Sequence, residues 1–209
     1  MVTCLTLLHT SPVHVPVFDA LRDRNHPGAV LRHLVVPQLL DRARAQGPGS
    51  VPADLRALLA DRAGPVLVTC STIGAVAESV AAERGVPVLR VDRPMAAAAV
   101  RTGPRIVVLA ALESTLGPTA ELLVEEAGGR RVVITPRVVA GAWERFEAGD
   151  TAGYLALVAE AADAVADADV VVLAQASMAA AAALATTTVP LLSSPAPGLA
   201  AALAAGGRG

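Results

Sequence analysis

Cys70 is the residue whose type and position most favour a reactive group. It follows an apolar run that ends at Val68 and precedes Ser71, Thr72 and a predicted helix. Free N–H groups at a helix N-terminus lower the pKa of a thiol and hold a carboxylate beside it. Two interpretations remain open, a reactive thiol and a small buried core residue. The hydroxyls of Ser71 and Thr72 favour the reactive thiol, because they converge on the same point.

Other polar groups follow predicted strands. His9 follows the first strand and is either an acid or base or a structural histidine. Candidate hydrogen-bond donors to a carboxylate or an enediolate, each of which could instead cap a helix, are Thr10, Ser11, Ser71, Thr72, Thr115 and Ser177. Cys4 lies within the first predicted strand and is expected to be a packing residue. Iodoacetamide is therefore expected to modify Cys70 before Cys4.

The basic residues limit the possible cofactors. All 17 are arginine, so the Schiff-base chemistry of pyridoxal phosphate and a GxxxxGK[ST] phosphate loop are both excluded. His14, His26 and His33 have no ligand-like spacing with one another or with a cysteine. We therefore expect neither a metal site nor pyridoxal phosphate.

Charge and composition also limit the partners and the location. The net charge is −2 and four aromatic residues are present, which argues against a nucleic-acid partner. Two cysteines 66 positions apart form no disulfide framework, and the first residues lack a basic segment, which together predict a cytoplasmic protein. The uncharged stretch from Val170 to Gly207 contains prolines and hydroxyl residues, so no membrane association is expected.

The alternation of β-branched runs with alanine-rich stretches predicts an α/β fold with parallel sheets. The predicted strands are Val2–Leu8, Val30–Val36, Val66–Thr69, Val88–Val91, Ile106–Ala110, Arg131–Thr135, Val170–Ala174 and Leu191–Leu192. The predicted helices are Pro16–Arg24, Ala53–Ala63, Gly74–Glu83, Met95–Arg101, Thr119–Glu126, Thr151–Ala166 and Met178–Leu184.

The two halves of the sequence resemble each other. Val66–Ile73 aligns with Val171–Met178, and Leu5–Thr10 aligns with Val107–Leu112. One repeat at half the chain length predicts two similar parallel-sheet lobes related by pseudo-two-fold duplication. Residues 1–92 plus 190–209 would form the lobe carrying Cys70, and residues 93–189 the lobe carrying Gln175. Ligands bind outside the carboxyl ends of parallel strands, so we expect the active site in a cleft between the lobes.

The stretch from Thr69 to Gly74 resembles the first thiol motif of the aspartate/glutamate racemase superfamily, which includes hydantoin racemases, maleate isomerases and arylmalonate decarboxylases. Supporting stretches are Leu7–Pro12, Val88–Met95, Leu109–Thr119 and Val171–Met178. The resemblance implies a cofactor-independent reaction of Cys70 on a small carboxylic acid. It also implies a carboxylate contact from Thr115, further substrate contacts from Gln175, Ala176 and Ser177, and a homodimer, although nothing in the residues themselves fixes the oligomeric state.

The sequence departs from this superfamily at its second thiol. Racemases of the superfamily use two cysteines on opposite faces of the substrate, and Gln175 occupies the second position here. An amide is no general base near neutral pH, so the symmetric two-thiol mechanism is not expected. An isomerase or racemase-type reaction through Cys70 ranks first, with His9 or water serving the second face in a racemisation. Arylmalonate-type decarboxylation, for which the superfamily keeps its thiol at the place of Gln175, and a catalytically silent binder remain alternatives.

Overall fold

The computed structural model describes residues 4–60, 64–85 and 87–206. Predicted element ends at Val2 and Ala63 lie outside these residues. Contacts divide the chain into two units, of which the second runs from Asp92 to Ser194, and the first contains the residues up to Val91 and those from Pro195 onwards.

The first unit contains a parallel sheet of four strands in the order β2-β1-β3-β4. The strands are β1 (Cys4–His9), β2 (Val30–Val35), β3 (Val66–Val68) and β4 (Val88–Arg90). The helices of this unit are α1 (His14–Asn25), α2 (Pro37–Gln46), α3 (Pro52–Leu59), α4 (Ser71–Arg84) and α9 (Pro195–Gly206), with a 3-10 turn at Pro48–Ser50.

Successive side chains of β1 point to opposite faces of this sheet, and helices pack against both faces. Leu5 and Leu7 pack with Phe18 of α1 and Leu199 of α9, whereas Leu8 packs with residues of α2, α3 and α4. His9 continues the face of Leu5 and Leu7, so its side chain lies on the side covered by α1. Burial on both faces explains why the central strand β3 is wholly apolar.

The second unit repeats this topology, with a parallel sheet in the order β6-β5-β7-β8. Its strands are β5 (Arg105–Ala110), β6 (Val133–Val138), β7 (Val170–Leu173) and β8 (Leu191–Ser193). Its helices are α5 (Arg93–Thr102), α6 (Glu113–Ala127), α7 (Ala142–Glu147) and α8 (Thr151–Asp163), with a 3-10 helix at Ala176–Ala183. The predicted α/β class with two similar parallel-sheet units is confirmed.

The strand register corrects the internal alignment by one residue. Leu8 pairs with Val68, two residues before Cys70, and Leu109 pairs with Leu173, two residues before Gln175. Cys70 and Gln175 are therefore equivalent, as the sequence predicts. The equivalent of Ala111, however, is Thr10 rather than His9.

The assignment of residues 190–194 to the first unit differs from the structure. Strand β8 pairs with β7 from Leu191 to Ser193, so the chain returns to the first unit only at Pro195. Within the described parts of the chain, no helix has both the length and the apolarity needed to cross a membrane.

Candidate active site

Cys70 lies in the turn between β3 and α4. It occupies the N-cap position of α4 in an extended conformation (φ −116°, ψ 115°), and only 8% of its surface is exposed. The strand places it at the carboxyl edge of the first sheet, where the end of the neighbouring strand β1 also lies. This pairing brings Thr10 to Cys70 although the two residues are 60 positions apart in the chain.

Four groups of the first unit contact the Cys70 thiol: the hydroxyls of Thr10 and Thr72 and the backbone N–H groups of Thr72 and Ile73. The Cys70 side chain makes no regular N-cap hydrogen bond with α4. Each of the four groups nevertheless lowers the thiol pKa, because each stabilises the thiolate. Burial acts in the opposite direction and is the larger effect, so the pKa of Cys70 is raised. The predicted lowering of this pKa is therefore wrong for the buried thiol.

Gly74 permits a buried arginine to lie beside this turn. A Cβ atom at Gly74 would come within 2.7 Å of Nε of Arg90, the last residue of β4. The Arg90 side chain is buried and thus passes directly over the first turn of α4. The glycine of the Thr69–Gly74 stretch is therefore explained by close packing.

The two cysteines are expected to react with iodoacetamide in the order opposite to the sequence prediction. Cys4 is exposed at the start of β1, whereas Cys70 is buried and its raised pKa leaves less thiolate. Peptide mass spectrometry of the native protein at pH 7.5 should find Cys4 alkylated first and Cys70 alkylated quickly only in denaturant. A Cys4→Ala variant provides the control, and rapid labelling of Cys70 in native protein would contradict burial as the dominant effect.

His9 is fully buried, and both of its ring nitrogens have partners. Nδ1 lies 2.8 Å from Oγ1 of Thr69, and Nε2 lies 2.8 Å from Nδ1 of His33. Nε2 of His33 lies 3.4 Å from Oδ1 of Asp19. A chain of polar contacts thus runs from Asp19 on α1 to Thr69, the neighbour of Cys70.

The hydrogen bonds assign the protons in this chain. The Thr69 hydroxyl donates to the carbonyl of Leu8 at 3.2 Å, so it accepts from Nδ1–H of His9. Neutral His9 must then accept at Nε2 from Nδ1–H of His33. Burial, followed by the charges of His14 and His33, lowers the pKa of His9 to about 3. This arrangement favours the structural interpretation of His9 over an acid or base.

Gln175 is the counterpart of Cys70 in the second unit and has nearly the same backbone conformation (φ −119°, ψ 139°). Its Oε1 accepts hydrogen bonds from the N–H groups of Ala111 at 2.6 Å and Leu112 at 3.2 Å. The side-chain carbonyl therefore anchors the end of β5 to the end of β7. Nε2 remains as the donor of this amide.

The other predicted residues of the second unit lie at the same edge of its sheet. Ser177 exchanges a hydrogen bond of 2.8 Å with the hydroxyl of Tyr154, whose pKa burial raises to about 12. Ala176 is buried at the start of the 3-10 helix, and Thr115 is buried in the first turn of α6. Tyr154 was not predicted, because nothing in the sequence relates it to a serine 23 residues away.

The predicted site residues thus fall into two groups, one in each unit. The first unit holds Cys70, Thr10, Ser11, Ser71 and Thr72 at one sheet edge, and the second holds Gln175, Ala176, Ser177 and Thr115. His14 was not predicted; it is buried in the first turn of α1. Within the described ranges, no three His, Cys, Asp or Glu side chains are grouped as a metal site would require.

A protein family matches most of the chain. A family model for Asp/Glu/hydantoin racemase matches residues 16–202. No curated protein matches the sequence.

Solved structures share the fold at low sequence identity. Aspartate racemase of Picrophilus torridus is 13% identical, with a TM-score of 0.70 over 98% of this chain and 94% of that one. Glutamate racemase of Thermus thermophilus, in complex with β-chloro-D-alanine, is 24% identical, with a TM-score of 0.63 over 98% and 82%. A variant of arylmalonate decarboxylase in its sulfate-associated form is 19% identical, with a TM-score of 0.60 over 99% and 94%.

Proposed function

Because the chain belongs to the Asp/Glu/hydantoin racemase family, we propose that it is a cofactor-independent isomerase or racemase-type enzyme that acts on a small carboxylic acid through the single thiol of Cys70. The contacts around Cys70 carry this proposal. Two hydroxyls and two backbone N–H groups meet at the sulfur, and all four stabilise a thiolate. A cysteine that served packing alone would need none of these donors.

The raised pKa of Cys70 determines how the thiol would act. The free thiol stays protonated near neutral pH, and the four donors stabilise the thiolate once the proton has left. In a cis–trans isomerisation, the proton passes to water or to the substrate, and the thiolate adds to the double bond beside the carboxylate. The electron pair moves to the carboxylate as an enediolate. Rotation about the resulting single bond and elimination then restore the double bond and the thiolate.

Racemisation is less well supported, because it needs a second acid or base. The equivalent position holds Gln175, whose Oε1 is already bonded to two N–H groups. His9 has both nitrogens occupied and a pKa of about 3. We therefore rank isomerisation through addition and elimination above racemisation.

A silent small-molecule binder is the second candidate, and one observation favours it. The Cys70 thiol is buried with a raised pKa, which is also what a packing cysteine has. A binder would retain affinity for small acids without changing them.

Proton NMR in deuterated buffer tests the proposal on 2-aryl and 2-alkyl malonates, maleate, hydantoins and amino acids. We expect one of these compounds to isomerise or to exchange its α-proton, which would identify the reaction class. Loss of carbon dioxide from a malonate would instead identify a decarboxylase. Saturable binding without any change in any compound would support the silent binder.

A further inference from the structure

His14 is a buried histidine with an unused polar atom. Only 8% of the residue is exposed, and Nδ1 has no hydrogen-bond partner among the described residues. A buried polar atom without a partner costs about 1–3 kcal/mol, so native proteins rarely keep one without a reason. The other buried histidine of this unit, His9, satisfies both of its nitrogens.

The position of His14 relates it to Cys70. It is the first residue of α1, and its backbone N–H donates to the carbonyl of Ser11 at 3.4 Å. Ser11 follows Thr10, whose hydroxyl contacts the Cys70 thiol. The centroid of the His14 ring also lies 6.0 Å from that of His9, whose Nδ1 is hydrogen-bonded to Thr69, the neighbour of Cys70.

The internal repeat points to the same role. The strand registers make Thr10 equivalent to Ala111, so His14 is equivalent to Thr115. Both are buried polar residues in the first turn of the helix that follows the first strand of their unit. Thr115 is the residue that the sequence resemblance assigns to the substrate carboxylate.

The chemistry of the ring defines its ligand. Burial lowers the pKa of His14 to about 4, so the ring is neutral near pH 7. In the tautomer that carries its proton on Nδ1, a neutral imidazole donates a hydrogen bond without contributing a charge, which suits the oxygen of a carboxylate or an enediolate. A water molecule could satisfy Nδ1 equally well, but it would give no selectivity for acids.

We propose that Nδ1–H of His14 donates a hydrogen bond to a carboxylate oxygen of the acid on which Cys70 acts. This inference rests on the proposed function for the identity of the acid, but it makes a separate prediction about binding. It adds His14 to the predicted substrate contacts of the first unit, which are Thr10, Ser11, Ser71 and Thr72.

Two substitutions at His14 test whether Nδ1–H makes the contact with the acid. His14→Asn places an amide N–H near the position of Nδ1, whereas His14→Leu removes every polar atom. Calorimetric titration with maleate and 2-phenylmalonate should give binding about 10-fold weaker in the leucine variant, the effect of one hydrogen bond. The asparagine variant should stay within about 3-fold of the wild type. His26→Asn, at the other end of α1, is the matched control.

The outcomes distinguish this inference from the proposed function. Equal affinity of the wild type and His14→Leu would overturn the inference, whether or not the enzyme is active. Loss of binding in His14→Leu without any reaction in the wild type would support the inference and reject the isomerase. No binding of either acid by the wild type would reject the assigned ligand class. Weakened binding in both variants would show that the ring shape matters rather than Nδ1–H, which also overturns the inference.

Discussion

Replacing Cys70 with alanine is expected to abolish the isomerisation or α-proton exchange, lowering its rate by about 10³-fold or more. The substitution removes the only thiol held by hydrogen-bond donors in the described residues, and those donors are left with no group to activate. Proton NMR in deuterated buffer measures the loss on whichever acid the wild type transforms.

Cys4→Ala is the matched control, because Cys4 is the other described cysteine and is exposed at the start of β1. It should leave the rate unchanged. The Cys70→Ala variant should stay folded, since the loss of one sulfur atom from its apolar cluster and from the donors around it costs about 1–3 kcal/mol. Circular dichroism checks the fold, and a folded Cys70→Ala variant with the wild-type rate would contradict a thiol mechanism.

Cys70→Ser gives a second comparison. Serine keeps a hydrogen-bonding atom among the same donors, but its hydroxyl is far less acidic than a thiol and a poorer nucleophile. A serine variant that binds the acid but transforms it as slowly as the alanine variant would assign the chemistry to sulfur.

The fold class could be predicted from the sequence because apolar runs and small-residue helices alternate along the chain. The proximity of Thr10 to Cys70 was also predictable, since parallel strands end at one edge of a sheet and thereby bring the two residues together. Periodicity was less informative where proline begins a helix. Helices α2 and α9 start at Pro37 and Pro195 and were not predicted, although proline suits the first helical position.

Side-chain pairing was the part that sequence could not supply. His33 pairs with Leu7, and His9 lies two residues further along β1 on the same face, so the two histidines are diagonal neighbours. A shift of one residue in this register would place His33 on the opposite face. The contact between His9 and His33 follows from that register, and the burial that raises the pKa of Cys70 follows from packing on α4.

The buried histidines also predict that the protein loses stability in mild acid. Both His9 and His14 have folded-state pKa values, about 3 and about 4, below the ordinary value of 6.5. From about pH 7.5 upwards they are neutral in both states and add no pH dependence. As the pH falls below 6.5, the unfolded chain binds protons that the folded chain cannot bind, so the free energy of unfolding decreases until the folded pKa is reached.

The size of the decrease in stability follows from the difference between the unfolded and folded pKa values of the two histidines. Between pH 7.5 and pH 5, each histidine should lower the free energy of unfolding by about 2 kcal/mol, and the pair by about 4 kcal/mol at most. Urea unfolding followed by circular dichroism at pH 7.5, 6.5, 5.5 and 5.0 measures the decrease. This range lies above the ordinary pKa values of the carboxyl groups, which limits their contribution.

Single substitutions measure how much of the decrease in the free energy of unfolding comes from each of the two histidines. His14→Asn should reduce the decrease between pH 7.5 and pH 5 by about 2 kcal/mol, because one proton fewer is bound on unfolding. His9→Asn should do the same, and His26→Asn, outside this cluster, serves as the control. A free energy of unfolding that stays constant from pH 7.5 to pH 5 in the wild type would mean that His9 and His14 accept protons in the folded protein. His14 would then be a cation, and the contact proposed between it and the substrate carboxylate would be an ion pair rather than a neutral hydrogen bond.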